Sequence, residues 1–342
     1  STTAQTATIT ATAGSAQGTT TVTFAPGPPV TLTLTASPTA ITADGTSTAT
    51  ITATVTDQYG NAVADGTVVT FTASAGSLPG NPYTTTTSSG QATAVLTAST
   101  TAQTAIITAT AGSAQGTTTV TFRPGSAVSF ELSGYPTQVT AGQPWSGVIT
   151  VTVRDAWGNV KDDFTGTVYF VADDPQATLP YTVGLPYTFT PGDAGRHTFD
   201  GSGFVLRTAG ERHLSVTDGT ITATSGTINV GPAALGRLEA TWPVTWTVGV
   251  PFSVTVTAYD LFGNRKTDFS GPVTFTATDP QATLPTDDGS GWADGRKSFD
   301  LTFGTTGSHR FSVASGGITF TSPPIALVAD QYRVFLPLVV RP

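Results

Sequence analysis

The chain has 342 residues, 72 of them threonine, with 37 glycines, 23 prolines and neither cysteine nor methionine. The missing cysteine excludes a disulfide framework, a zinc–thiolate site, a cysteine nucleophile and an iron–sulfur cluster. A net charge of −8 argues against phosphate-backbone recognition, and no apolar run approaches the ~18 residues of a membrane span.

Only 11% of residues are charged, against roughly a quarter in an average soluble protein. Thr, Val, Ile, Phe and Tyr suit a half-buried pleated surface, whereas the strong helix formers are scarce. The reading is an all-β secreted protein of two to three domains. The absence of an initiator methionine reads as a processed or cropped chain.

At the amino terminus, Ser1–Gly27 (STTAQTATITATAGSAQGTTTVTFAPG) returns at Ser99–Gly125 with two changes, Thr8 to Ile106 and Ala25 to Arg123. Residues 1–26 therefore predict a terminal β-hairpin that copies the last two strands of the following repeat and lacks a sandwich of its own. An isolated hairpin is marginal in water, so something must cover it. Two readings stand open: the chain is cropped from a longer array, or Ala7–Ala13 and Thr19–Phe24 add strands to another subunit's sheet edge.

Next come strands with apolar residues at every second position, as in Ala49–Val55 (ATITATV) and Val68–Thr72 (VVTFT). Threonine fills the other face, where its branched β-carbon fits the pleat and its hydroxyl meets water. Turn residues separate the strands at Gln58–Asn61, Ala64–Gly66, Ser77–Asn81 and Ser88–Gly90.

The repeat continues more weakly: Pro38/Pro136, Thr42/Thr140, Asp57/Asp155 and Asn61/Asn159 keep the same offset, and Arg154–Pro180 is answered by Tyr259–Pro285. A period near ~100 residues of short strands is the size of an immunoglobulin-like sandwich. The expected fold is all-β: tandem immunoglobulin-like β-sandwiches in an extended array, spanning 27–123, 124–231 and 232–330, with short Pro/Gly joints. Residues 1–122 hold only Asp44, Asp57 and Asp65 and no Lys or Arg, so the first domain reads as a spacer and the later two as diverged copies.

Residues 331–342 (QYRVFLPLVVRP) form an apolar carboxy-terminal strand or tail, with Pro337 restricting it to a sheet edge or bulge. It closes its own sandwich, serves as a sorting signal or inserts into a neighbour. Two ends that need covering point to head-to-tail assembly, with Ile9, Val22 and Phe24 on one side and Val334, Phe335, Leu336, Leu338 and Val339 on the other. A heterologous contact of that kind gives an open filament when its rotation does not close.

One turn recurs: Asp57–Asn61 (DQYGN), Asp155–Asn159 (DAWGN) and Asp260–Asn264 (DLFGN). In it Asp caps the turn, Gly takes the left-handed conformation and Asn tolerates the same region. In the first repeat the turn lies inside ASPTAITADGTSTATITATVTDQYGNAVADGTVVTFTASAG, which closely resembles the bacterial immunoglobulin-like domain of the invasin/intimin type. The later repeats keep the turn and the following strand and otherwise depart from the pattern. The resemblance implies a rigid extracellular sandwich used in tandem in bacterial adhesins and surface fibres, and it carries over no binding residues.

Catalytic signatures are missing: no GxSxG, HExxH, Walker loop or GxGxxG occurs, and the chain reads as non-enzymatic. His197, His213 and His309 read as solvated or locally hydrogen-bonded. Trp145, Trp157, Trp242, Trp246 and Trp292 read as packing at sandwich ends, with a sugar-stacking platform as the alternative. No cofactor is expected. Calcium stands as an alternative for Asp162, Asp163, Asp173, Asp174, Asp279, Asp287 and Asp288, without an EF-hand spacing to support it.

The sequence thus reads as an extracellular, bacterial cell-surface structural protein: a fibre, stalk or filament that self-associates by strand complementation. The alternatives are an adhesin whose later domains bind a glycan or host protein, and an accessory module of a secreted hydrolase.

Overall fold

Alternation decides the local structure. Along Thr48–Thr56, Ala49, Ile51, Ala53 and Val55 are buried while the threonines between them face outward, the two-residue period of a strand with one wet face. In the computed structural model of the chain, which describes residues 1–328, the same alternation organises strand after strand. Among the described residues the only helical turns are the short 3₁₀ segments Pro191–Asp193 and Gly201–Gly203, and no helix is long and apolar enough to cross a membrane.

In chain order the first strands are β1 (Gln5–Ala13), β2 (Ala16–Phe24), β3 (Thr31–Ser37), β4 (Ala40–Thr42), β5 (Thr48–Thr56), β6 (Val68–Ala73), β7 (Tyr83–Thr86), β8 (Gln91–Thr97), β9 (Gln103–Ala111) and β10 (Ala114–Arg123). The chain divides into two compact units. One comprises Ser1–Glu131, Val151–Gly166 and Thr188–His197, and the other Leu132–Thr150, Thr167–Tyr187 and the chain from Thr198 onward.

In the first unit a three-stranded sheet, β3-β5-β8, faces a five-stranded sheet, β4-β10-β9-β6-β7. Their inner faces share one core, with Ile51, Val55, Val69, Phe71, Leu96, Ile107, Val120 and Phe122 all at most 1% exposed. Each such side chain contributes about 1.5–3 kcal/mol by leaving water. β4 runs parallel to β10 (Thr121 opposite Ala40), a short edge pairing that closes the sandwich. Ahead of it, β1 and β2 form a two-stranded sheet of their own.

The second unit holds most of the remaining described strands. Gln138–Thr140 runs parallel to Ile228–Gly231, repeating the edge pairing of β4 with β10, and Thr247 makes the corresponding parallel bridge to Val328. Sheets of Leu235–Thr241, Phe252–Asp260 and Arg296–Leu301, and of Thr274–Ala277, Phe311–Ser315 and Ile318–Thr321, enclose a core richer in rings than the first. Both later repeats carry one device that the first lacks. The Ser225 hydroxyl accepts the Leu214 N–H at 3.0 Å and the Ser322 hydroxyl accepts the Phe311 N–H at 3.1 Å, where each strand is interrupted.

Four of the five tryptophans are packing residues. Trp145 stacks on Phe204 (5.4 Å between centroids), Trp242 meets Phe311 edge-on (5.2 Å), Trp246 stacks on Phe303 (5.4 Å) and Trp292 meets Phe269 edge-on (4.5 Å). They are therefore not a sugar platform. Trp157, in the recurring turn, is 56% exposed.

Candidate functional site: a carboxamide clamp between successive repeats

The recurring turn does more than turn. Gly60, Gly158 and Gly263 sit at φ of 82°, 83° and 86°, a region closed to most side chains. This kink lets the aspartate at the start of each motif accept two backbone N–H groups from its own turn. Asp155 takes the Trp157 N–H at 2.9 Å and the Asn159 N–H at 2.8 Å; Asp57 and Asp260 take the equivalent pairs. The three asparagines are not left-handed themselves, contrary to the sequence expectation. Their place in the motif rests on the side-chain amide.

Each amide is oriented by the aspartate. Asn61, Asn159 and Asn264 donate through Nδ2 to Oδ2 of Asp57, Asp155 and Asp260 at 2.9, 2.9 and 2.8 Å. The same nitrogen then donates to a distant backbone carbonyl: Thr2 at 2.8 Å, Thr100 at 2.9 Å and Arg207 at 2.7 Å. The amide oxygen accepts the N–H two residues further along: Ala4 at 3.1 Å, Ala102 at 2.9 Å and Ala209 at 2.8 Å. One flat carboxamide thus holds both a C=O and an N–H of one extended segment, as a neighbouring strand would.

The aspartate completes the joint through the same Oδ2. Asp57 Oδ2 accepts the Gly27 N–H at 2.9 Å, Asp155 Oδ2 the Gly125 N–H at 2.9 Å and Asp260 Oδ2 the Ala233 N–H at 2.8 Å, all within the Pro/Gly joints. Each clamp ties three pieces: the turn, the joint that leads into its repeat, and a segment of the preceding repeat. The three aspartates are 2–3% exposed, so their donors decide whether charge is tolerated there. For Asp57 the Asn61 amide and the Gly27 N–H outweigh burial and hold the carboxyl down at about 2. For Asp155 and Asp260 burial pushes upward, and the asparagine amide and the joint N–H more than offset it, leaving both below the usual carboxylate range.

Six of the seven carboxylates considered for calcium have protein partners. Asp174 accepts Gln176 N–H, Arg207 N–H, Thr208 N–H and the Thr208 hydroxyl at 2.5–2.9 Å, and Asp279 accepts the equivalent set from Gln281, Gly304 and Thr305 at 2.7–3.0 Å. Asp163 pairs with Lys161 (2.6 Å), Asp173 with His213 (2.9 Å) and Asp287 with Lys297 (2.5 Å), while Asp288 accepts from Ser290 (2.6 Å). Among the described residues no three His, Asp or Glu side chains form a metal-sized cluster. The other two histidines also make local contacts, His197 with Asp193 (2.6 Å) and His309 with Thr305 (3.0 Å).

Of the residues expected to mediate assembly, Ile9, Val22 and Phe24 lie on the hairpin and are 51%, 41% and 36% exposed. Val334, Phe335, Leu336, Leu338 and Val339 lie outside the described residues. Sequence reasoning found the motif and missed its reach, because the partners are backbone atoms 55–59 positions away. One signal was readable: each asparagine grips the segment just ahead of a closing strand, at the recurring alanines Ala4, Ala102 and Ala209.

Residues 28–125 match the family described as invasin, domain 3, and this repeat is an immunoglobulin-like domain of the invasin type. No curated protein sequence matches the chain significantly. Among solved structures, Yersinia pseudotuberculosis InvD is 21% identical, with 85% of this chain and 95% of that one covered and a TM-score of 0.49. The Escherichia coli adhesin FdeC is 18% identical, covering 90% and 100%, with a TM-score of 0.46. Invasin, described as a bacterial integrin-binding protein, is 18% identical over 88% of this chain and 60% of that one, with a TM-score of 0.40.

Proposed function

Taking residues 28–125 as an invasin-type domain, we propose that this chain is a non-enzymatic part of a bacterial cell-surface protein, serving as a fibre, stalk or filament segment. We divide it into a hairpin (1–26), three immunoglobulin-like domains (27–123, 124–231, 232–330) and an apolar tail (331–342). The observation that carries the reading is the thrice-repeated clamp. A row of independent binding modules has no need to fix each joint in the same way, whereas a load-carrying series does. Polar clamps suit this, since flexible inter-domain joints are otherwise the default expectation.

The finer part of the proposal is head-to-tail assembly by strand complementation through Ile9, Val22 and Phe24 at one end and Val334, Phe335, Leu336, Leu338 and Val339 at the other. Electron microscopy of the purified chain tests it. Filaments are expected from the whole chain and not after deletion of residues 1–24 or 331–342; assembly unchanged by both deletions refutes it. A second reading, adhesion to a glycan or host protein, is supported by the exposed Trp157 ring. Glycan-array binding abolished by Trp157→Ala favours that reading.

A further inference from the structure

The hairpin β1–β2 and the hairpin β9–β10 offer a controlled comparison within one molecule. They differ at one residue along their strands before Phe24 and Phe122, Thr8 against Ile106. They also share one register: Gln5 faces Phe24 and Ala13 faces Ala16, just as Gln103 faces Phe122 and Ala111 faces Ala114. Both are gripped near their first strand by an Asp–Asn clamp. Their surroundings differ completely. Ile107, Val120 and Phe122 are at most 1% exposed, whereas Ile9, Val22 and Phe24 are 51%, 41% and 36% exposed.

The copy inside the sandwich shows what the exposed face lacks. β9 pairs with β6, Thr70 opposite Thr110, and β10 pairs with β4. A glycine marks the closest approach. A Cβ on Gly116 would lie 2.5 Å from the Leu32 carbonyl oxygen, while a Cβ on Gly18, its counterpart, would meet nothing within 4 Å. Gly18 therefore keeps open a space that nothing within the described residues fills.

We infer that β1–β2 is a preformed closing hairpin for a further sandwich, and that its partner is a polypeptide with the strand pattern of residues 31–97. Resting on the assembly reading above, this inference names the partner of the hairpin face. In a second copy of the present chain the first repeat is already closed by its own β9–β10, and exchange of near-identical hairpins gains nothing, so that repeat is not the partner. The fitting partner is a half-sandwich that offers a β6-like edge to β1, a β4-like edge to β2 and a leucine carbonyl to Gly18. The clamp at Asn61 holds the hairpin in place for it.

The test is a longer chain in which a second copy of residues 27–98 is joined ahead of Ser1, recreating the natural Ala98–Ser99 junction. Amide hydrogen exchange of residues 8–12 is then compared with the chain as given. The expected result is slowing by roughly 100-fold or more, the difference between a fraying hairpin and a core strand. Gly18→Ala is expected to leave exchange unchanged in the chain as given and to abolish the new protection in the longer one. Unslowed exchange in the longer chain, or full protection despite Gly18→Ala, overturns the inference. Filament formation by the 342-residue chain is scored separately, so its failure to form filaments, with protection intact in the longer chain, refutes the assembly reading alone.

Discussion

Asn159 donates through Nδ2 to the Thr100 carbonyl oxygen at 2.9 Å and accepts the Ala102 N–H at 2.9 Å, so one side chain satisfies both backbone groups of a segment 57–59 positions earlier. Replacing it with alanine removes these bonds and the one to Asp155. At about 0.5–1.5 kcal/mol per neutral bond, with partial compensation by water at a part-exposed site, Asn159→Ala is expected to cost about 1–3 kcal/mol. Thermal denaturation gives the total. Amide exchange at Ala102 locates it, and an unchanged Ala102 rate contradicts the clamp.

Acid should open the clamps before it melts the sandwich cores. A carboxyl whose pKa is lowered in the folded state adds stability in full above its ordinary value near ~4, and that stability is lost as pH falls through the folded value. Asp57 is held at about 2, with Asp155 and Asp260 also lowered. Carboxyl-carbon NMR shifts should therefore place the Asp57 midpoint near 2. The amide signals of Gly27, Gly125 and Ala233 should move with their carboxylates, Gly27 near pH 2 and the other two below the usual carboxylate range, as reporters of the joints.

The two copies of the hairpin sequence predict opposite responses to the same change. Ile107 is wholly buried and Ile9 is half exposed, so Ile107→Ala should cost about 2–5 kcal/mol by leaving a cavity. Ile9→Ala should stay within about 0.5 kcal/mol. Likewise Gly116→Ala forces a Cβ against Leu32 whereas Gly18→Ala meets open space. Urea denaturation of the four variants checks this. Equal losses at Ile9 and Ile107 would mean that the hairpin is already covered in solution.

Much of this was readable in the sequence, for physical reasons that differ by level. The strands and their inward faces follow from the two-residue alternation in stretches such as Ala49–Val55, because burial and pleat share that period. The turn was readable from Asp57, Gly60 and Asn61, since only glycine accepts the required backbone there. The clamp was not. Its far partners are peptide groups of Thr100, Ala102, Arg207 and Ala209, and a peptide group carries no mark in the residue type. The tryptophans were readable as packing residues, but not the rings they meet, since Phe204 and Phe303 lie far along the chain from Trp145 and Trp246.

The segment Arg207–Ala209 is gripped from two sides, which makes a coupled prediction. Asn264 holds the Arg207 C=O and the Ala209 N–H, while Asp174 holds the Arg207 and Thr208 N–H groups and the Thr208 hydroxyl. Asp174 touches no part of the Asp260–Asn264 turn by hydrogen bond, yet it fixes the segment that Asn264 must reach. Asp174→Asn presents an NH₂ group where four donors converge and should cost about 1–3 kcal/mol, the loss expected for hydrogen bonds to a charged acceptor. Thr208→Val removes a single donor and should cost less. The decisive readout is the Ala209 amide, which Asp174 does not contact. Its exchange should accelerate in Asp174→Asn nearly as much as in Asn264→Ala, and the double variant should lose less than the sum of the two, as groups acting on one element do. Strict additivity would show that the two grips are independent.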